Sequence, residues 1–311
     1  MVFFGNSSSS YSNWYFQAFV EAPCRLVGVV DAPPAARGLS TALSTESSAS
    51  FIAHARALAI PTFEPQTPNQ PAFVAAVRAL QPDIFVAAGY MGIFREEILA
   101  VPRVLAVNFH ASLLPAYRGK HPVFWALRNG ERWTGLTVHV IDRGVDTGDI
   151  LYQVRVRTRR DDTVATVYAR VFERTAWIPR QLILDVENNT LRRRPQPQAG
   201  ATYYSSVREE DFILDWHLPA AQLGRMIRIS PGRCFANVRG RRVFFWDGRA
   251  IADTSNAVPG SLLHVGRGAG TIKTGEGALR VQKVSVVETD KVIPFARLCR
   301  QWDIQPTQQL V

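Results

Sequence analysis

Cysteine is scarce in this chain of 311 residues. Cys24, Cys234 and Cys299 stand far apart, with no spacing that frames a metal site or a disulfide set. Three unpaired thiols fit a reducing compartment, so a cytoplasmic protein without a metal is expected. Long apolar runs are missing too. None approaches the roughly 18 residues that a membrane span requires. The opening Met1-Val2-Phe3-Phe4 lacks a basic lead-in and is too short for a secretion signal. Three nucleotide-binding and hydrolase signatures are also absent. The loop after the first apolar run is Asn6-Ser7-Ser8-Ser9-Ser10, which is neither a Gly-Lys-Ser/Thr phosphate loop nor a Gly-x-Gly-x-x-Gly turn. No Gly-x-Ser-x-Gly elbow occurs, which removes the usual serine hydrolases.

What is present is globular. The hydrophobic fraction is 47% and the length suits one large or two ordinary domains. The net charge of +10 is uneven. Residues 190–311 hold 18 Lys and Arg against 10 Asp and Glu, a surplus of 8, and residues 1–189 hold 18 against 16. A basic half points to a polyanionic partner or to a solvated arginine-rich surface.

The first half alternates strand-like and helix-like runs. Apolar strands are expected at 1–4, 26–30, 61–63, 84–88, 104–107, 136–141 and 150–156. Helices are expected at 11–19, 49–58, 73–80 and 122–128, and one long helix from Asp162 toward Val186. Such alternation builds a mostly parallel sheet flanked by helices. The stretch 32–50, rich in Pro, Gly, Ser and Thr, is expected to be a loop. Residues 191–200, with Arg192-Arg193-Arg194, Pro195 and Pro197, read as a linker between a domain at 1–190 and one at 201–311. After it come a helix at 219–227 and short strand runs at 235–238, 243–246, 260–265, 271–274 and 279–287, the spacing of a small β-barrel.

The chemistry concentrates between residues 108 and 150. Asn108 and His110, two apart at the end of an apolar run, point the same way in extended backbone. They open Asn108-Phe109-His110-Ala111-Ser112-Leu113-Leu114-Pro115-Ala116-Tyr117-Arg118-Gly119. Asp142-Arg143-Gly144-Val145-Asp146-Thr147-Gly148 follows the next run. Separately, each polar residue has a plain structural explanation: a turn cap, a bonded core histidine, a turn aspartate. His121 and His139 are expected to be structural.

Taken in order, the Asn-x-His, the Ser-Leu-Leu-Pro-x-x-Arg-Gly and the Asp-x-Gly resemble the folate-dependent formyltransferases. That resemblance runs through nearly the whole chain. It implies a Rossmann-like catalytic domain followed by a smaller oligonucleotide-binding-like (OB-like) barrel. It implies Asn108, His110 and Asp146 as catalytic residues and 10-formyltetrahydrofolate as the formyl donor. It places the pterin against Met91, Gly92, Ile93, Phe94, Asp142, Val145 and Asp146. Ser112, Leu113, Leu114, Pro115, Arg118 and Gly119 fall where the acceptor amine is expected.

The chemistry of formyl transfer suits these residues. An oxyanion develops on the formyl oxygen, and Asn108 can donate to it. A proton leaves the amine, and His110 can titrate. Asp146 is expected to hold the imidazole and favour its charged form. The acceptor is open. Tyr203-Tyr204, Ile213-Leu214-Asp215-Trp216 and the basic second half match the methionyl-tRNA branch of the family. Two departures lie outside that branch: no basic insertion at 32–50, and Ser230-Pro231-Gly232-Arg233 where a Trp-containing turn is usual. An amino-sugar nucleotide or another small amine is the alternative acceptor. A basic RNA-binding module without catalysis is the non-enzymatic alternative, with Phe244-Phe245-Trp246 beside Arg241 and Arg242 as its hint.

Overall fold

The structure is a computed structural model that describes residues 1–33, 50–287, 289 and 291–310. It divides into two compact units. The first comprises Met1–Ala126, Arg132–Arg159 and Val164–Ser206. The second comprises Leu127–Glu131, Arg160–Thr163 and the chain from Val207 onward. The loop expected over 32–50 lies, from residue 34 to 49, outside the described residues. No helix among the described residues is long and apolar enough to cross a membrane.

The first unit is Rossmann-like. In chain order it contains β1 (Val2–Gly5), α1 (Ser10–Val20), β2 (Gly28–Asp31), α2 (Phe51–Ala57), β3 (Thr62–Phe63), α3 (Pro71–Ala79), β4 (Ile84–Ala88), α4 (Glu96–Leu99) and β5 (Leu105–His110). There follow β6 (Arg118–Gly119), α5 (Pro122–Arg128, whose last two residues fall in the second unit), β7 (Trp133–Val140), β8 (Ile150–Arg157), α6 (Val164–Thr175), α7 (Ile178–Glu187) and β9 (Tyr203–Tyr204). Seven strands form one sheet in the order β3-β2-β1-β4-β5-β7-β8. The first five are parallel, and β7 and β8 run antiparallel to their neighbours.

Side-chain alternation decides what each strand delivers. On one face of β5, Phe109 packs against Tyr15 and Phe19 of α1. Burying such a ring contributes about 1.5–3 kcal/mol, enough to fix the strand's facing. Ala106 on the other face joins a cluster with Phe4, Phe73, Phe85 and Phe94. Asn108 and His110 continue that second face beyond Ala106. They lie within β5 itself, which extends three residues past the expected run.

One expected helix is two. The pattern from Asp162 toward Val186 breaks between α6 and α7, where Pro179 begins a new helix. The segment 191–200 is also no bare connection. Arg194 and Ile150 exchange both backbone bonds, at 2.8 and 2.9 Å. β9 then pairs in parallel with β6, Arg118 opposite Tyr203 and Gly119 opposite Tyr204.

The second unit is β-rich. Helix α8 (Ala220–Ile229) precedes two four-stranded antiparallel sheets. One holds β10 (Cys234–Val238), β11 (Arg241–Phe245), β16 (Lys283–Val286) and β17 (Ile293–Pro294). The other holds β12 (Arg249–Ile251), β15 (Ala278–Val281), β14 (Gly270–Lys273) and β13 (Leu262–Val265). The run expected as one strand over 279–287 divides at Gln282 between the two sheets. There the Gln282 and Lys283 N–H groups donate to the Asp247 carboxylate. A short helix, α9 (Phe295–Gln301), follows β17.

Candidate active site

Asp146 lies in the loop between β7 and β8, with φ of 54°. Its neighbours brace that left-handed conformation. The Thr147 hydroxyl donates toward both Asp142 oxygens, at 2.7 and 2.9 Å, and the Gly144 N–H donates to Asp142 at 3.1 Å. The Asp146 side chain is 11% exposed. A buried carboxylate needs partners on both oxygens, and it has them. Oδ1 accepts from Asn108 Nδ2 at 3.1 Å and lies 3.3 Å from His139 Nε2. Oδ2 accepts from the Gly119 N–H at 2.8 Å and lies 3.6 Å from His110 Nδ1. Gly119 is required there. With φ of 95°, a Cβ would meet the Tyr204 carbonyl oxygen at 2.1 Å.

The tautomer of His110 follows from its other nitrogen. Nε2 is 2.7 Å from the Tyr117 carbonyl oxygen, which can only accept, so Nε2 carries a proton. Nδ1, facing Asp146, is the atom free to gain or lose one. Burial lowers the His110 pKa below its ordinary value. Asp146 and the Tyr117 carbonyl act against that shift, and His139 adds to it. Asp146 favours the charged ring, but the imidazole is 6% exposed, and desolvation of the cation outweighs the carboxylate. Burial pushes the Asp146 carboxyl up, but His110, His139 and the Gly119 N–H together hold it well below the usual carboxylate range. A neutral imidazole therefore sits beside an ionised carboxylate.

His139, expected to be structural, belongs to this cluster. It pairs with Asn108 across β5 and β7, is 2% exposed, and its Nδ1 lies 2.8 Å from the Val140 carbonyl. Nδ1 is therefore protonated, and Nε2 sits 3.3 Å from both Asp146 Oδ1 and Asn108 Nδ2. A lone His in an alternating apolar run gives no sequence signal of this. The signal was the pairing of β5 with β7.

A cavity of about 210 Å³ opens beside the cluster. Asn108, His110, His139 and Asp146 line it, as do Met91, Gly92, Ile93, Phe94, Asp142 and Val145, the residues expected around a pterin. Pockets that bury drug-sized ligands run to roughly 300–1,000 Å³. This one is smaller than that range. The Asn69 side chain supports one wall, donating to the Ile93 carbonyl at 2.8 Å and accepting from the Arg95 N–H at 2.8 Å. Arg143 pairs at 2.6 Å with Glu96, the first residue of α4, which follows the 91–94 wall. Lys120, His121 and Tyr203 also line the cavity, and Tyr203 is 60% exposed.

The residues expected around the acceptor divide differently. Of the six, Gly119 lines the cavity and the others form its frame. The Ser112 hydroxyl donates to the Ala116 carbonyl at 2.8 Å, and Ser112 is fully buried. Leu113 packs against Gly135, and Leu114, buried, donates its N–H to Thr137 at 3.1 Å. The Pro115 carbonyl accepts from the Thr202 N–H at 3.3 Å. Arg118 is 9% exposed and its guanidinium binds Gln196 Oε1 at 2.9 and 3.3 Å. This turn shapes the loop that carries the Tyr117 carbonyl and the Gly119 N–H. An imidazole base, an ionised carboxylate and an amide donor at one cavity form a set able to shuttle a proton during acyl transfer and stabilise its oxyanion.

Comparison with known proteins bears on both units. Residues 2–182 match the family model described as formyl transferase, and residues 206–295 match its C-terminal domain. A methionyl-tRNA formyltransferase of Synechococcus sp. (strain JA-3-3Ab) is 31% identical over 294 residues, covering 92% of this chain and 90% of the relative. One from Agathobacter rectalis is 29% identical over 289 residues, covering 92% and 91%. Among solved structures, an N-formyltransferase from Helicobacter canadensis, in complex with folinic acid and dTDP-3-aminofucose, superposes with a TM-score of 0.66. It covers 91% of this chain and 98% of its own at 14% identity, a likeness of fold.

Proposed function

Because the chain belongs to the formyl transferase family, we propose that it moves a formyl group from 10-formyltetrahydrofolate to a primary amine, with methionyl-tRNA the first acceptor to test. The single observation that carries this is the ionised Asp146 set between Asn108 and a neutral His110 at the cavity wall.

The pterin lies between the 91–94 and 142–146 loops, which brings N10 and its formyl group to the cluster. The amine attacks the formyl carbon, and the C–O π electrons move to oxygen. Asn108 donates to that oxyanion, and His110 Nδ1 takes the proton that the amine loses. Asp146 stabilises the resulting imidazolium. Collapse of the intermediate breaks the C–N10 bond, and the proton passes from His110 to N10. Tetrahydrofolate and the formamide leave. Such base catalysis contributes about 10²–10⁴-fold, and an oxyanion donor about 10²–10³-fold.

Two relatives named as methionyl-tRNA formyltransferases, each aligned over nine-tenths of the chain, support a tRNA acceptor. A small amine, such as an amino-sugar nucleotide, is favoured by a different observation: four arginines of the second unit are held by partners within it, which restrains them from turning to a phosphate. Arg239 donates to the Trp302 and Asp303 carbonyls and to Gln308. Arg225 and Arg228 donate to the Arg128 and Asp162 carbonyls, and Arg242 pairs with Glu209.

The deciding assay follows labelled formyl from 10-formyltetrahydrofolate into methionyl-tRNA, an amino-sugar nucleotide and small amines. Transfer to tRNA that weakens steeply with salt supports the first reading. Salt-insensitive transfer to a small amine supports the second. No transfer to any acceptor or to water, with tight RNA binding, overturns both.

A further inference from the structure

Gln196 lies in the Pro- and Arg-rich stretch that reads as a linker, and no catalytic role attaches to it by sequence. Its carboxamide is fully engaged in the first unit. One N–H reaches the Asp146 carbonyl at 2.9 Å and the other the Gly148 carbonyl at 2.7 Å. Its Oε1 accepts from Arg118 Nη2 at 2.9 Å and Nε at 3.3 Å.

These bonds close a ring around the carboxylate. Arg118 is followed by Gly119, whose N–H holds Asp146 Oδ2 at 2.8 Å. Gln196 thus grips the backbone of Asp146 on one side and, on the other, the residue that aims the N–H at its side chain. Asp146 has φ of 54°, which a non-glycine residue keeps only when its surroundings enforce it. The same segment is fixed on either side. Arg194 pairs with Ile150, and the Thr202 carbonyl accepts from the Arg118 N–H at 2.9 Å. An amide is the side chain that supplies two donors and an acceptor at this point. A carboxylate would turn oxygen toward both carbonyls.

We propose that Gln196 is a positioning residue for formyl transfer, holding Asp146 at the distance from His110 and Asn108 that proton transfer requires. This rests on the formyl-transfer reading above. His110 is faced by Asp146, His139 and the Tyr117 carbonyl, and Gln196 acts through the first.

The test is Gln196→Met, which keeps side-chain length and removes the hydrogen bonds. Gln196→Ala replaces it should the Met variant fail to fold. A displacement of about 1 Å can cost about 10²-fold. The expected result is kcat lower by about 10- to 100-fold with KM for 10-formyltetrahydrofolate within about twofold. The acid limb of kcat/KM moves to lower pH, since a loosened Asp146 supports the His110 cation less. A change in stability alone would not move that limb. Wild-type kcat with an unmoved limb overturns the proposal. Should the wild type transfer no formyl group, NMR titration of the His110 ring decides separately. A lower His110 pKa in the variant supports the positioning role, and an identical pKa overturns it.

Discussion

The ends of β5 and β7 bring the same side chain to Asp146 by different means. His110 is held by a loop, its Nε2 on the Tyr117 carbonyl and its Nδ1 3.6 Å from the carboxylate. His139 is held by its own strand, its Nδ1 on the adjacent Val140 carbonyl and its Nε2 3.3 Å from the carboxylate. Position therefore divides the work. The ring braced by a loop has slack on the carboxylate side and a nitrogen free to exchange a proton. The ring braced by the strand is fixed beside Asn108 and Asp146.

Loss of the shared partner is expected to have the largest effect. Asp146→Asn keeps shape and removes the charge between the rings. Its kcat for formyl transfer is expected to fall by about 10³–10⁴-fold, toward the upper end of what base catalysis supplies. Thermal unfolding is the control that separates this from loss of fold. A fall of less than about tenfold would show that the carboxylate is not required.

His139→Gln sharpens the contrast. Glutamine keeps a polar side chain that can hydrogen-bond to Asn108 and Asp146. Rates are expected to drop by about tenfold, far less than for a residue that moves the reacting proton. The pH profile should keep its His110 limb. A loss as deep as that of Asp146→Asn would make His139 the proton carrier and invert the assignment.

The smallest effect is expected at the loop. Thr202 accepts from the Tyr117 N–H at 2.8 Å through its hydroxyl and steadies the peptide beside His110. Thr202→Val removes one hydrogen bond worth about 0.5–1.5 kcal/mol. A twofold to fivefold loss of kcat is anticipated from steady-state kinetics. An unchanged rate would mean that the strand pairing of β6 and β9 holds the loop without it.

The frame of this site was legible for plain reasons. β4 is a continuous apolar run and is buried along its length. Helix α5 begins at Pro122 and ends before Asn129-Gly130, where the stop signals stand. Asn108 and His110 could be placed on one face because strands alternate. What escaped depends on partners distant in sequence. His139 matters because β7 pairs with β5 in a register that sets it opposite Asn108. Nothing next to Arg118 in the chain signals that Gln196, 78 positions later, binds its guanidinium. Gln196 itself binds two backbone carbonyls, which leave no trace in residue identity. In the second unit the strand runs stood out by their even turns. The division at Gln282 did not, because Leu279 to Val287 is apolar enough to read as one strand.

The most direct test of the account joins one residue to one pH profile. In the wild type, the acid limb of kcat/KM for formyl transfer should coincide with the His110 ring titration measured by NMR. Both should lie below the ordinary histidine value near 6.5. His110→Ala should abolish the limb and lower the rate by about 10²–10⁴-fold. A limb unrelated to the His110 titration, or a His110→Ala enzyme as fast as the wild type, would contradict it.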